Sequence, residues 1–197
     1  MRAFAILALA GLAACSPPAA PDPRSVLTRA QLDQVDQPLI LVEIPALSVA
    51  ATLVPVSRNG DVVTWQTGDQ VSVSIRGGVI VATRGLGADL MSADAPGSIA
   101  LANGGGPGGT YTRFHTFLDG ENQVQYQAFN CRLRGRVREA IEIIGQRHDT
   151  LRTDETCFTE GFVAENIYWR GGDGTLWKSR QWLGHVTGYV TMERLKK

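Results

Sequence analysis

QVSVSIRGGVIVATRGLGADL, residues 70–90, decides the fold. Val71, Val73 and Ile75 alternate with Ser72, Ser74 and Arg76, the period-two pattern of a strand with one buried face. Gly77 and Gly78 give the backbone freedom that a tight reversal needs, and VIVATR (residues 79–84) returns as a second strand. The exit from that strand, TRGLGADL (residues 83–90), holds Arg84, Gly85, Gly87 and Asp89. A phosphate cradle would need glycines leading into a helix with a lysine and a hydroxyl, or a G-x-G-x-x-G turn inside a βαβ unit. Neither this run nor GGGPGG (residues 104–109) supplies those parts. The run therefore reads as a turn, with Gly85 and Gly87 taking unusual backbone angles or close approach and Arg84 pairing with Asp89 across it.

Moving outward, the same punctuation repeats. PLILVEI (residues 38–44) and LSVAATLVPVS (residues 47–57) are rich in β-branched residues, and the second runs into Asn59-Gly60, the signal of a type I′ hairpin before VVTWQ (residues 62–66). Residues 93–109 read as a mobile loop, because the glycine run has no side chains to pack. TYTRFHTFLD (residues 110–119) and QVQYQAFNCRLRG (residues 123–135) form another hairpin. Residues 137–145 fit two templates: Val137, Ile141 and Ile144 have helical spacing, while Ile141 and Ile143 share a strand face. A hairpin about Gly145 would bring Cys157 back toward Cys131, which favours strands. A last turn at residues 171–174 precedes a final strand at residues 188–195. With one short peripheral helix at residues 25–34, the expectation is a mainly β protein whose twisted antiparallel sheet or sheets form a sandwich or open barrel.

The N-terminal end carries a different message. MRAFAILALAGLAAC has one basic residue followed by an uncharged apolar run too short to span a bilayer as a helix, and it reads as a secretory signal over residues 1–14. LAAC (residues 12–15) resembles the bacterial lipobox, which implies cleavage before Cys15, acylation of that cysteine and durable anchoring to a membrane. Ser16 stands where an aspartate would imply inner-membrane retention, so the outer membrane, periplasmic face, is the expected address. SPPAAPDPR has four prolines in nine residues and reads as a tether, giving residues 15–24 to the anchor and residues 25–197 to a single β-rich domain.

Charge is balanced, with 19 acidic and 19 basic residues, so no basic field marks a nucleic-acid partner. With the lipid cysteine set aside, Cys131 and Cys157 remain in a compartment that permits disulfides, and they are expected to bond. Candidate chemistry is sparse. Asp69, Asp89, Asp94, Glu139, Glu142 and Glu160 could supply a glycosidase pair, but such residues occur in every soluble domain of this size. His115, His148 and His185 lack metal-ligand spacing, and there is no G-x-S-x-G elbow. No cofactor is expected. Trp65, Trp169, Trp177 and Trp182 could stack on sugar rings or fill the core.

Three runs carry a family resemblance: residues 64–94, with Thr-Arg-Gly-Leu-Gly-x-Asp-Leu; residues 142–157, EIIGQRHDTLRTDETC; and residues 176–196, with Trp-Lys-Ser-x-Gln-Trp. Together they resemble the YjbF family of bacterial lipoproteins, the group that includes the capsule lipoprotein GfcB. The resemblance covers the mature domain and implies a mostly antiparallel β fold. It also implies an accessory role in exopolysaccharide or capsule export, without enzymatic activity, beside an outer-membrane β-barrel or other export proteins. It carries over no catalytic residues. Two other readings stay open: a polysaccharide-binding module using the four tryptophans, and a periplasmic glycan hydrolase with unrecognised carboxylates.

Overall fold

The computed structural model describes residues 22–106 and 108–197, so the signal segment, Cys15, most of the tether and Pro107 of the glycine run lie outside the described residues. Among the described residues, twelve strands form one antiparallel sheet: β1 (Leu39–Ile44), β2 (Val49–Asn59), β3 (Val62–Gln66), β4 (Ser72–Arg76), β5 (Val79–Arg84), β6 (Ser92–Asp94), β7 (Thr110–Leu118), β8 (Val124–Ile143), β9 (Gln146–Thr159), β10 (Phe162–Gly171), β11 (Leu176–Gly184) and β12 (Gly188–Lys196). Their order is β5-β4-β3-β2-β1-β12-β11-β10-β9-β8-β7-β6. Every chain neighbour but one is a sheet neighbour, and the first strand pairs with the last. The two edges, β5 and β6, lie side by side around the turn that joins them, where Thr83 N–H of β5 donates to Leu90 O, two residues before β6, at 2.9 Å. The result is a nearly closed up-and-down barrel rather than a sandwich, because a meander that pairs its ends has no second sheet to stack.

The pattern of residues 70–90 produces its elements directly. Val73 and Ile80 point inward with Ile40, Val42, Leu53, Val190 and Met192, and Gly77 and Gly78 take φ of +52° and +87° in the β4–β5 turn. Residues 137–143 continue β8, and the chain reverses at Ile144 and Gly145 into β9. The outer face of β1 and β12 also buries Leu39, Leu41 and Leu195, which lie against Leu32 and Ile143.

Two expectations need correction. The N-terminal helix is two short ones, α1 (Pro23–Val26) and α2 (Arg29–Asp33). Thr28 separates them: its side chain accepts from Gln31 N–H while Gln31 reaches back to Thr28 N–H, a capping box that starts a new helix. Residues 93–109 are not wholly a loop, since Pro96–Ala102 is a helix, α3, that buries Ser98, Leu101 and Ala102. Proline at the first helical position starts it. Packing of Ala95, Ala102 and Ile99 on Val79 and Tyr168 holds it, a tertiary contact that the adjacent glycine run obscures.

Candidate functional site

Two accessible concavities lie at one end of the barrel. There the β4–β5 turn, the end of α3, the β10–β11 turn and the C-terminal end of β12 converge. Arg170 ties two of these loops: its Nη1 donates to Asn103 O at 2.7 Å and its Nε to Gly174 O at 3.0 Å. On one side of this tie is a cavity of about 420 Å³, and on the other a groove of about 720 Å³. Both fall in the ordinary range for ligand sites, roughly 300–1,000 Å³.

The smaller cavity is lined by Ile40, Ile75, Trp177, Lys178, Met192 and Arg194, with Lys197 at its edge. Strand register puts them there: Ile40 faces Arg194 across β1 and β12, and Ser179 faces Met192 across β11 and β12. The Arg194 guanidinium lies 5.5 Å from the centre of the Trp65 ring. Burial alone lowers its pKa, and no carboxylate among the described residues opposes it. Lys178 Nζ instead lies 2.8 Å from Glu193 Oε1, and Arg24 Nη2 lies 2.9 Å from Glu193 Oε2, so the buried Glu193 on the outer face is neutralised twice. Lys197 pairs with Asp173, whose pKa it drives down with help from Thr175 N–H. His148 stacks on Trp177 at 3.7 Å between ring centres, and burial together with the Arg29 and Lys197 charges depresses its pKa.

The larger groove is bounded by Arg138, Arg147 and Arg170 with Glu139 and Asp149. Arg138 belongs to β8, whose bulge between Leu133 and Gly135 resets the register beyond it. The end of the barrel is thus more cationic than the balanced composition suggests.

A buried polar layer lies behind this end. Glu155 Oε1 accepts from Ser98 Oγ and Tyr111 OH, both at 2.5 Å, and Oε2 accepts from Asn166 Nδ2 at 2.7 Å and Tyr168 OH at 3.2 Å. Arg113 Nη1 stands 3.5 Å from Glu155 Oε2, and both side chains are almost wholly buried. Arg113 Nε donates to His115 Nε2 at 2.8 Å, which requires a neutral imidazole there. Burial and the Arg113 charge accordingly hold the His115 pKa well below its ordinary value. Burial beside the carboxylate raises the pKa of Tyr111 and Tyr168, so both phenols stay protonated as donors. Sequence reasoning missed Glu155 and Arg113; their one visible signal is a charged residue on the inward register of a strand. Cys131, Glu155 and Cys157 cluster as metal ligands would, but both sulfurs are spent in the disulfide.

The sequence candidates fall in several places. Cys131 and Cys157 are facing residues of β8 and β9 and are bonded. Trp65, Trp169 and Trp182 are buried, at 5%, 7% and 4% exposure, which corrects their assignment as sugar-stacking faces: the barrel wall needs their volume. Trp177 is only partly buried and faces the smaller cavity. In the TRGLGADL turn, Asp89 does not pair with Arg84. Its carboxylate turns inward, where Oδ1 accepts from Thr83 Oγ1 at 2.9 Å and Leu86 N–H at 3.2 Å, and Oδ2 accepts from Gly85 N–H at 2.9 Å. Arg84 donates to backbone carbonyls, Leu90 O at 3.3 Å among them. Gly85 and Gly87 have φ of +91° and +83°. Glu139 borders the larger groove, and His115 and His148 are accounted for above.

The chain is an up-and-down β-barrel with a helix against a buried polar layer and cationic side chains at one end. The chain belongs to the YjbF family, described as group 4 capsule polysaccharide lipoprotein GfcB/YjbF, whose model matches residues 7–195. That family is not a known family of enzymes. The crystal structure of the hypothetical lipoprotein YmcC from Escherichia coli K12 is similar in fold, with a TM-score of 0.71 at 16% identity over 87% of this chain and 89% of that one. None of the curated proteins matches. Family membership implies a lipoprotein of the cell envelope with a role in capsule or polysaccharide export.

Proposed function

We propose that the protein is a non-catalytic accessory lipoprotein, held through Cys15 on the periplasmic face of the outer membrane, that assists export of an exopolysaccharide or capsule beside an outer-membrane β-barrel partner. The observation that carries this reading is the family match across almost the whole chain. The lipobox at residues 12–15 supports the anchor, and the cationic end of the barrel supports contact with a polymer or with the export machinery. Deleting the gene should lower secreted polysaccharide while intracellular precursor synthesis continues. Complementation with the wild type should restore secretion, and complementation with Cys15→Ala should not. Normal secretion by the deletion strain sinks the proposal.

A further inference from the structure

We propose that the smaller cavity binds an anionic substituent carried on a sugar, a carboxylate or a phosphate, with the Arg194 guanidinium as its anchor and the Trp177 ring as the wall for the sugar. The choice of a sugar as carrier rests on the polysaccharide reading; the anion rests on geometry alone.

Around the smaller cavity, three neighbouring cations have partners. Lys197 has Asp173, Lys178 has Glu193, and Arg170 has the carbonyls of Asn103 and Gly174. Arg194 alone among these four has neither a carboxylate nor a carbonyl within the described residues, yet it is partly buried and lines a cavity. Withdrawing a cation from water without a partner is costly, so a site that does so is poised for an anion from outside. Arg194 Cζ lies 5.5 Å from the Trp65 ring centre, a cation–π contact, and β-strand pairing fixes its stem opposite Ile40. A planar guanidinium held this way meets carboxylate or phosphate oxygens through two parallel N–H donors. The surrounding wall suits the rest of such a ligand. Trp177 borders the cavity with His148 stacked on its ring and Lys197 Nζ 4.8 Å from the ring centre, and Ile75 and Met192 give an apolar floor.

The test is calorimetric titration of the full chain in detergent with tri-galacturonate, with neutral galactotriose and with inorganic phosphate. Tri-galacturonate should bind the wild type with a dissociation constant of about 1 mM or tighter, and galactotriose should not. Arg194→Gln should weaken binding at least about tenfold. Arg194→Lys should weaken it several-fold, because an ammonium lacks the fork. Arg134→Gln, at an exposed position on the β8 bulge paired with Glu165, should leave affinity unchanged. If only phosphate binds, and Arg194→Gln abolishes that binding, the anchor stands and the anion is a phosphate. Thermal melts establish that each variant is folded; if Arg194→Gln does not fold, Arg194→Lys decides, and wild-type affinity there overturns the anchor. Equal binding by wild type and a folded Arg194→Gln, or no binding of either anion to the wild type, overturns the proposal. Binding without an export defect in the deletion strain removes the export reading and leaves the site, whereas an export defect without binding does the reverse.

Discussion

Gln181 on β11 reaches across the barrel to the edge strand and holds Ile80: its Oε1 accepts from Ile80 N–H at 3.0 Å, and its Nε2 donates to Gly78 O at 2.9 Å. The side chain is fully buried and replaces ladder partners that the β5 edge lacks at this point. This contact ties the Trp-Lys-Ser-x-Gln-Trp run to the β4–β5 hairpin, two of the three runs by which the family is recognised in the sequence. Gln181→Ala leaves a buried donor and a carbonyl unpaired and should destabilise by about 1–3 kcal/mol. Gln181→Glu should be at least as harmful, since a carboxylate cannot donate to Gly78 O. Urea denaturation of the full chain measures both, and a loss within about 0.5 kcal/mol, the range of a neutral surface change, counts against the tie.

The TRGLGADL turn makes a sharper distinction than the sequence allowed. Asp89→Ala removes acceptors for Thr83 Oγ1, Gly85 N–H and Leu86 N–H together, and should cost about 1–2 kcal/mol, as the loss of a good helix cap does. Arg84→Gln should cost far less, because the arginine only decorates carbonyls at the rim. An ion pair between Arg84 and Asp89 would instead make the two substitutions equally costly and their double-mutant coupling large.

How much of this was legible follows the physics of each element. Alternation along residues 70–84 and 188–195 named strands because one face of each packs inside and the other meets solvent or helix. Barrel closure was not legible. It depends on β1 pairing with β12 and on Thr83 meeting Leu90, contacts between residues far apart in sequence or hidden in a turn. The helix Pro96–Ala102 was hidden by its glycine neighbours and exists because Tyr168 and Val79 offer it a surface. The basic mouth was invisible for a similar reason: Arg138, Arg170 and Arg194 lie on three different strands, and only the barrel gathers them.

The disulfide joins facing positions of β8 and β9, closing a loop whose ends are 26 residues apart. In the chain-entropy model that closure restricts the unfolded chain by roughly 3–4 kcal/mol. Cys131→Ser with Cys157→Ser should lower the denaturation midpoint accordingly, and dithiothreitol should reproduce the shift in the wild type. Non-reducing peptide mapping checks the bond itself, and free thiols at both positions contradict it.

Acid should destabilise the fold. His115 is neutral in the folded chain because burial and Arg113 depress its pKa, while in the unfolded chain it titrates near about 6.5. Below that unfolded value the unfolded state binds a proton that the folded state refuses, so stability falls as pH drops through about 6.5 and is fully present above it. His148, depressed by burial and by Arg29 and Lys197, acts in the same direction. Urea midpoints measured between pH 5 and 8 should fall toward the acid end, with a shallower fall in His115→Gln and a shallower one still when His148→Gln is added. An unchanged slope in the double variant assigns the acid sensitivity elsewhere.

Glu155 and Arg113 give the most demanding prediction, because each is nearly inaccessible and each justifies the other's burial. Glu155→Ala leaves the guanidinium without its carboxylate and strips acceptors from Ser98, Tyr111, Asn166 and Tyr168, so it should cost about 3–5 kcal/mol. Ser98 lies on α3, and the loss should therefore also loosen that helix; hydrogen exchange over residues 96–102 should accelerate more than exchange in β1 or β12. Removing both charges by Glu155→Leu with Arg113→Met should be much milder than either charge deletion alone, since a buried ion pair can be replaced by apolar volume at little net cost. A double variant as unstable as the sum of its two parts would show that the pair is not coupled.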